Sequence, residues 1–112
     1  MPLFITQGRY THNAMKGMLA SPEDRTEMVS KLFEKAGGKL RDYFFTFGEY
    51  DFLVITEGPM DGAASALIVA AASGGVTDMK TTVAMTSAEM KEAFTRAGNM
   101  AGGFRAAGAS KA

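Results

Sequence analysis

The chain is 112 residues long, the size of one ordinary domain, and 46% of it is hydrophobic, enough to build a core without covalent staples. It contains no cysteine, which excludes disulfides and thiolate metal sites, and its single histidine, His12, excludes a multi-histidine metal site within one subunit. Twelve basic and twelve acidic residues cancel, so neither nucleic acid nor an anionic membrane is an expected partner.

Met1-Pro2-Leu3-Phe4-Ile5 runs directly into strand-like sequence and lacks the basic, apolar and small-residue pattern of a signal peptide. The first strand is expected over Leu3 to Tyr10, rich in aromatic and β-branched residues with Gly8 as its weak point. Thr11 to Ala20 mixes His, Asn, Gly and Met and reads as a loop or a short irregular helix. Ser21-Pro22-Glu23-Asp24 then has the chemistry of a helix start: a capping hydroxyl, a proline suited to the first turn, and two acids for the dipole. Met28, Val29, Leu32, Phe33 and Ala36 form one apolar stripe, and Gly37-Gly38 terminates it.

Two further strands, Lys39 to Phe47 and Tyr50 to Glu57, are joined by Gly48-Glu49, a pair suited to a two-residue type II′ hairpin. That register pairs Phe47 with Tyr50, Phe45 with Phe52 and Tyr43 with Val54 on one face. Thr46 with Asp51, Phe44 with Leu53, and Asp42 with Ile55 fall on the other. Gly58-Pro59 breaks the strand, Asp61 can cap a second helix over Ala63 to Ser73, and Gly74-Gly75 ends it. The apolar run within that helix is interrupted by Ser65 and is too short to span a bilayer. Val76 to Met85 is the fourth strand, and Thr86-Ser87-Ala88-Glu89 is a capping box for a third helix over Ala88 to about Gly98. Residues 1–98 therefore read as one domain, and Asn99 to Ala112, dominated by Gly, Ala and Ser, as a flexible tail.

The order β-α-β-β-α-β predicts an α+β, ferredoxin-like antiparallel sheet with helices on one face, plus a C-terminal helix. The hairpin carries large apolar groups on both faces. Tyr43, Phe45, Phe47, Tyr50 and Phe52 make one set; Leu40, Phe44, Leu53 and Ile55 make the other. Two helices cover one face only, and each fully buried side chain of this size is worth about 1.5–3 kcal/mol. The aromatic set is therefore expected to meet a second copy of the chain, in a homodimer or higher homo-oligomer. The third helix is the other candidate cover.

The first strand, Leu3-Phe4-Ile5-Thr6 and Gly8-Arg9-Tyr10-Thr11, together with Phe47-Gly48-Glu49-Tyr50-Asp51-Phe52 and the following Val54-Ile55, Glu57 and Pro59, resembles the GYD-domain family. That family is named for its Gly-x-Tyr-Asp element, here Gly48, Tyr50 and Asp51, and the resemblance runs from Leu3 to about Glu92. It implies a dimeric α/β-barrel type of ferredoxin-like fold. It implies no particular activity.

His12, just after the first strand where loops could bring it near a ligand, is a candidate general base or haem ligand, and otherwise a surface histidine. Glu49 and Asp51 could do acid–base work or hold a hard cation, but their position at a turn favours Asp51 bonding to backbone. Tyr10, Tyr43 and Tyr50 could turn hydroxyls into a pocket, or pack at a subunit contact. Arg9 and Arg41 are candidate anion binders or solvated charges. The nine methionines are dispersed and read as packing rather than a metal site, and no cofactor fingerprint is legible. The expected function is a cytoplasmic, oligomeric, non-enzymatic module for a small ligand or for assembly, with Tyr10, His12, Tyr43 and Asp51 as candidate ligand contacts. A small dimeric α/β-barrel enzyme, monooxygenase- or isomerase-like, with a pocket near His12, Tyr10 and Asp51, is the alternative. A third reading is a regulatory or scaffolding protein whose tail reaches a partner.

Overall fold

The computed structural model describes residues 2–109. Its elements are β1 (Leu3–Tyr10), α1 (His12–Ala20), α2 (Thr26–Lys35), β2 (Lys39–Phe45), β3 (Phe52–Glu57), α3 (Met60–Ala72), β4 (Val76–Ala84) and α4 (Ser87–Met100). The four strands form one antiparallel sheet in the order β2-β3-β1-β4. This is the ferredoxin-like arrangement.

Alternation along the central strands decides which side carries the core. Phe4 and Thr6 of β1, with Phe52, Val54 and Thr56 of β3, are buried, while their odd-numbered neighbours on β1 and β3 are only partly covered. The buried side faces the helices, where Phe33 of α2 and Ala66 of α3 close on it. The hairpin pairs Tyr43 with Val54, Phe44 with Leu53 and Phe45 with Phe52, as expected, but β2 is irregular between Leu40 and Asp42. That extra residue moves Leu40 opposite Thr56, on the helix side, and away from Phe44 and Leu53.

Local boundaries differ from expectation in several places. Thr11 to Ala20 is a regular helix, because the Thr11 hydroxyl accepts the Ala14 N–H and caps it. Ser21 ends this helix instead of starting the next, since a residue before proline is driven out of the α region. α2 begins at Thr26, whose N–H donates to the Asp24 carboxylate at 2.9 Å. α3 starts at Met60 after an extended Pro59, so Asp61 lies inside its first turn. The expected two-residue hairpin turn is replaced by a wider loop. Thr46 N–H donates to the Asp51 carbonyl at 2.8 Å, and Phe47 and Tyr50 lie outside the ladder.

The two covering helices approach closely at one end only. A Cβ on Gly62 of α3 would lie 2.1 Å from the Ala36 carbonyl oxygen at the end of α2. Toward the α2 start and the α3 end the helices leave space, and α1 crosses that opening. Thr11 ties α1 to the loop after α3: its N–H donates to the Gly75 carbonyl at 3.0 Å and its hydroxyl to the Gly74 carbonyl at 2.8 Å.

α4 keeps its Thr86–Glu89 capping box but does not cover the sheet. Its stripe is open to solvent, with Phe94 69% exposed. The described chain extends over 68 × 28 × 22 Å, and its radius of gyration of 18.9 Å exceeds the roughly 13 Å of a compact chain this long. Asn99 and Met100, read from sequence as tail, belong to α4; the last tail residues, 110–112, lie outside the described residues.

Candidate functional site

A cavity of about 400 Å³ occupies the open end between sheet and helices, within the size range of small-molecule pockets. Its floor is the helix-side face of the sheet: Thr6, Tyr10, Tyr43, Phe52, Val54, Val76 and Met79. Val29 and Phe33 of α2, Leu67 and Ala70 of α3, and Ala14 and Met18 of α1 complete an apolar wall. Ser21, Glu23, Arg25 and Ser73 supply polar groups at its margin. Small residues, Ala14, Gly17 and Ala70, line positions that larger side chains would fill.

Two tyrosines dominate the floor. The Tyr10 and Tyr43 hydroxyls share a hydrogen bond across strands β1 and β2, which lie on either side of β3. The Tyr10 ring packs 5.2 Å from Phe45 and 5.1 Å from Phe52, and Tyr43 lies 5.5 Å from Phe45, centroid to centroid. Burial, then the bond with Tyr43, raise the Tyr10 pKa strongly. Its phenol stays protonated across the neutral range and can donate. Thr6 is already paired, its hydroxyl 2.9 Å from that of Thr81.

Tyr10 is held in place by the hairpin loop. The Asp51 carboxylate accepts the Tyr10 N–H at 2.9 Å, and the Asp51 N–H donates to the Gly8 carbonyl at 2.8 Å. Arg9 Nε donates to the Glu49 carbonyl at 2.8 Å, and its guanidinium lies 5.8 Å from the centre of the Tyr50 ring. Gly48 takes φ 153°, a region that favours glycine, and lets the loop fold toward β1. Gly8-Arg9-Tyr10 and Gly48-Glu49-Tyr50-Asp51 are thus two halves of one clasp. The clasp also explains the wide hairpin loop, since Asp51 is pulled onto β1 and cannot serve in a tight turn.

The four candidate ligand contacts separate. Tyr10 and Tyr43 converge in the cavity. Asp51 supports Tyr10 from behind, on backbone. His12, the first residue of α1, is exposed and does not line the cavity. Among the five aromatic residues expected at a subunit contact, Tyr43 and Phe52 line the cavity, Phe45 stacks on Tyr10, and Phe47 and Tyr50 stand in the loop. Arg9 and Arg41 are engaged elsewhere, Arg9 3.6 Å from Asp78 and Arg41 2.9 Å from Glu57. Arg25 takes the cationic place at the cavity instead. Nothing in the sequence marked it out, because it sits between a proline turn and a helix that only the fold swings over the sheet. No group of three or more His, Asp or Glu that could hold a metal ion occurs among the described residues, and none of their helices is long and apolar enough to cross a membrane.

No curated protein matches the sequence at a significant level. Among solved structures, the fold resembles that of the transcriptional regulator NMB0573 from Neisseria meningitidis in complex with L-Met. The identity is 16% and the TM-score 0.50, over 77% of this chain and 51% of that one, so the chain spans about half the regulator's length. The protein TTHA0845 from Thermus thermophilus is also similar, at 13% identity and TM-score 0.49 over 78% of this chain and 96% of that one. At these identities the likeness concerns the fold alone. The sequence profile of the GYD domain matches residues 4–94, the span that contains the sheet, the cavity and both halves of the clasp. The chain belongs to the GYD domain family.

Proposed function

We propose that the chain is a homo-oligomeric, cytoplasmic module that binds a small ligand in the cavity under α1. The observation that carries this reading is the cavity itself: about 400 Å³ left open between sheet and helices, with two tyrosine hydroxyls converging on a floor whose other polar side chain, Thr6, is already paired. Interiors are normally close-packed, so space of this kind beside oriented polar groups is what a binding site requires. A regulator of the same fold solved with L-Met accords with a small-ligand role. The cysteine-free composition accords with a reducing compartment.

We place the subunit contact on the sheet face opposite the helices. That face carries Leu3, Ile5, Leu53 and Ile55, all partly exposed, and Phe44 at 54% exposure. Of the aromatic set expected at the contact from sequence, Tyr43 and Phe52 line the cavity and Phe45 stacks on Tyr10. The second apolar face is therefore the one in need of a partner. A second copy presenting the same face closes it as a two-sheet sandwich.

The enzyme reading draws on one observation, the hydroxyl pair in an open pocket. It lacks the histidine, because His12 stays outside. Native mass spectrometry of protein from its own host tests both parts of the proposal. We expect an even-numbered oligomer carrying a small bound molecule that is absent when Ala70→Trp fills the cavity. A monomer at micromolar concentration sinks the contact, and a ligand retained by Ala70→Trp sinks the site.

A further inference from the structure

The cavity is not symmetrical in its chemistry, and the asymmetry bears on what it holds. Its body is apolar, formed by Val29, Leu67, Phe52 and Val54, with Met18 and Met79 among its lining residues. Its polar groups are few: beside the two phenols and Arg25 stand Ser21, Ser73 and the acidic Glu23. Two phenols sharing one hydrogen bond have two O–H protons and use one between them, so one remains to donate. Tyr10 stays neutral, so the floor contributes no negative charge of its own.

Arg25 adds the positive charge. Its guanidinium bonds Glu23 through one nitrogen at 3.0 Å, leaving the other N–H groups of the fork available. The Arg25 side chain is 34% exposed and that of Glu23 55%, so the cation sits deeper than its partner. Its charge also acts on the Tyr10 hydroxyl, drawing that pKa downward against the burial that raises it.

We propose, on the basis of the binding reading above, that the cavity takes a small monocarboxylate with an apolar body, its head between the Tyr10–Tyr43 hydroxyl pair and Arg25. The apolar wall holds the body, and the donors and guanidinium recognise the oxygen atoms of the head. A neutral molecule of the same shape gains the wall but not the charge. An amine is repelled by Arg25 unless Glu23 is the group that reads it.

Three probes of one shape separate these cases: phenylacetate, phenylacetamide and 2-phenylethylamine, titrated into protein labelled at the methionine methyl groups. Met18 and Met79 line the cavity and report binding by their chemical shifts. We expect both signals to move with phenylacetate, at an affinity about tenfold above the amide, as one charge-assisted hydrogen bond provides. Arg25→Gln should remove that tenfold preference while amide binding persists. Tyr43→Phe should weaken both probes and provides a second readout if the Arg25 variant folds poorly. Equal binding of acid and amide, or tightest binding of the amine, overturns the carboxylate inference and leaves the binding reading standing. Silence of Met18 and Met79 toward all three probes overturns both.

Discussion

The layer between sheet and helices has a tight end and a roomy end, built from the same two helices. At the tight end, Gly62 of α3 faces the last carbonyls of α2, and a Cβ on Gly38 would meet the Glu57 carbonyl oxygen at 2.6 Å. Glycine there lets backbone touch backbone. At the roomy end the same helices present Val29, Leu67 and Ala70 across a gap they do not fill. The difference teaches that a cavity need not come from a special motif. Two helices pinned together at one end and lined by small residues at the other leave one, provided something else holds the floor rigid. Here that is the clasp around Asp51.

The comparison is sharpened by making the same kind of change at both ends. Gly62→Ala adds a methyl group against a backbone carbonyl 2.1 Å away, which cannot rotate aside. A loss of about 3 kcal/mol is expected, the upper range for overpacking, read as a lower urea midpoint. Ala70→Leu adds more atoms at the roomy end, where they occupy empty space. It should stabilise the fold by about 1 kcal/mol as a cavity-filling change while abolishing ligand binding. Equal losses at the two ends would erase the distinction.

Between these in size lies the clasp. Asp51→Ala leaves the Tyr10 N–H without its charged acceptor, and about 2 kcal/mol should be lost, the range for a hydrogen bond to a charged group. Because the clasp holds the cavity floor, the Met18 and Met79 methyl signals should shift with no ligand present. A stability loss without that shift would make Asp51 a loop residue only.

The smallest effect concerns α4, which neither end of the layer uses. The Thr86 N–H, followed by its hydroxyl, holds the Glu89 carboxyl below the usual glutamate range. A carboxyl whose folded pKa is depressed contributes above its unfolded value, about 4.3, and the contribution fades as pH falls through the lower folded value. Circular dichroism should therefore show helicity declining in acid, with the decline reduced in Glu89→Gln. Thr86→Ala should cost about 0.5 kcal/mol, at the low end for a cap, and leave the cavity untouched.

Much of the architecture was legible without coordinates. The aromatic and β-branched content of Leu3–Tyr10, the glycine pairs after α2 and α3, and the Thr86–Glu89 box are local signals, each with its own physical cause within a few residues. The shifted boundaries arose where local signals compete. Pro22 both ends one helix and is suited to begin another, and Asp51 is a fine turn residue until β1 offers it two backbone partners.

The sequence by itself determined the strand order's raw material, the two apolar hairpin faces, the family signature and two of the cavity's residues, Tyr10 and Tyr43. Only the tertiary structure decided that Tyr43 and Phe52 line the cavity, that the signature is a clasp between segments 40 residues apart, such as Arg9 and Glu49, and that Arg25 stands at the cavity while His12 does not. Those outcomes depend on how far apart packed elements come to rest. Spacing between elements is a collective result of every contact in the layer, and no short stretch of residues encodes it.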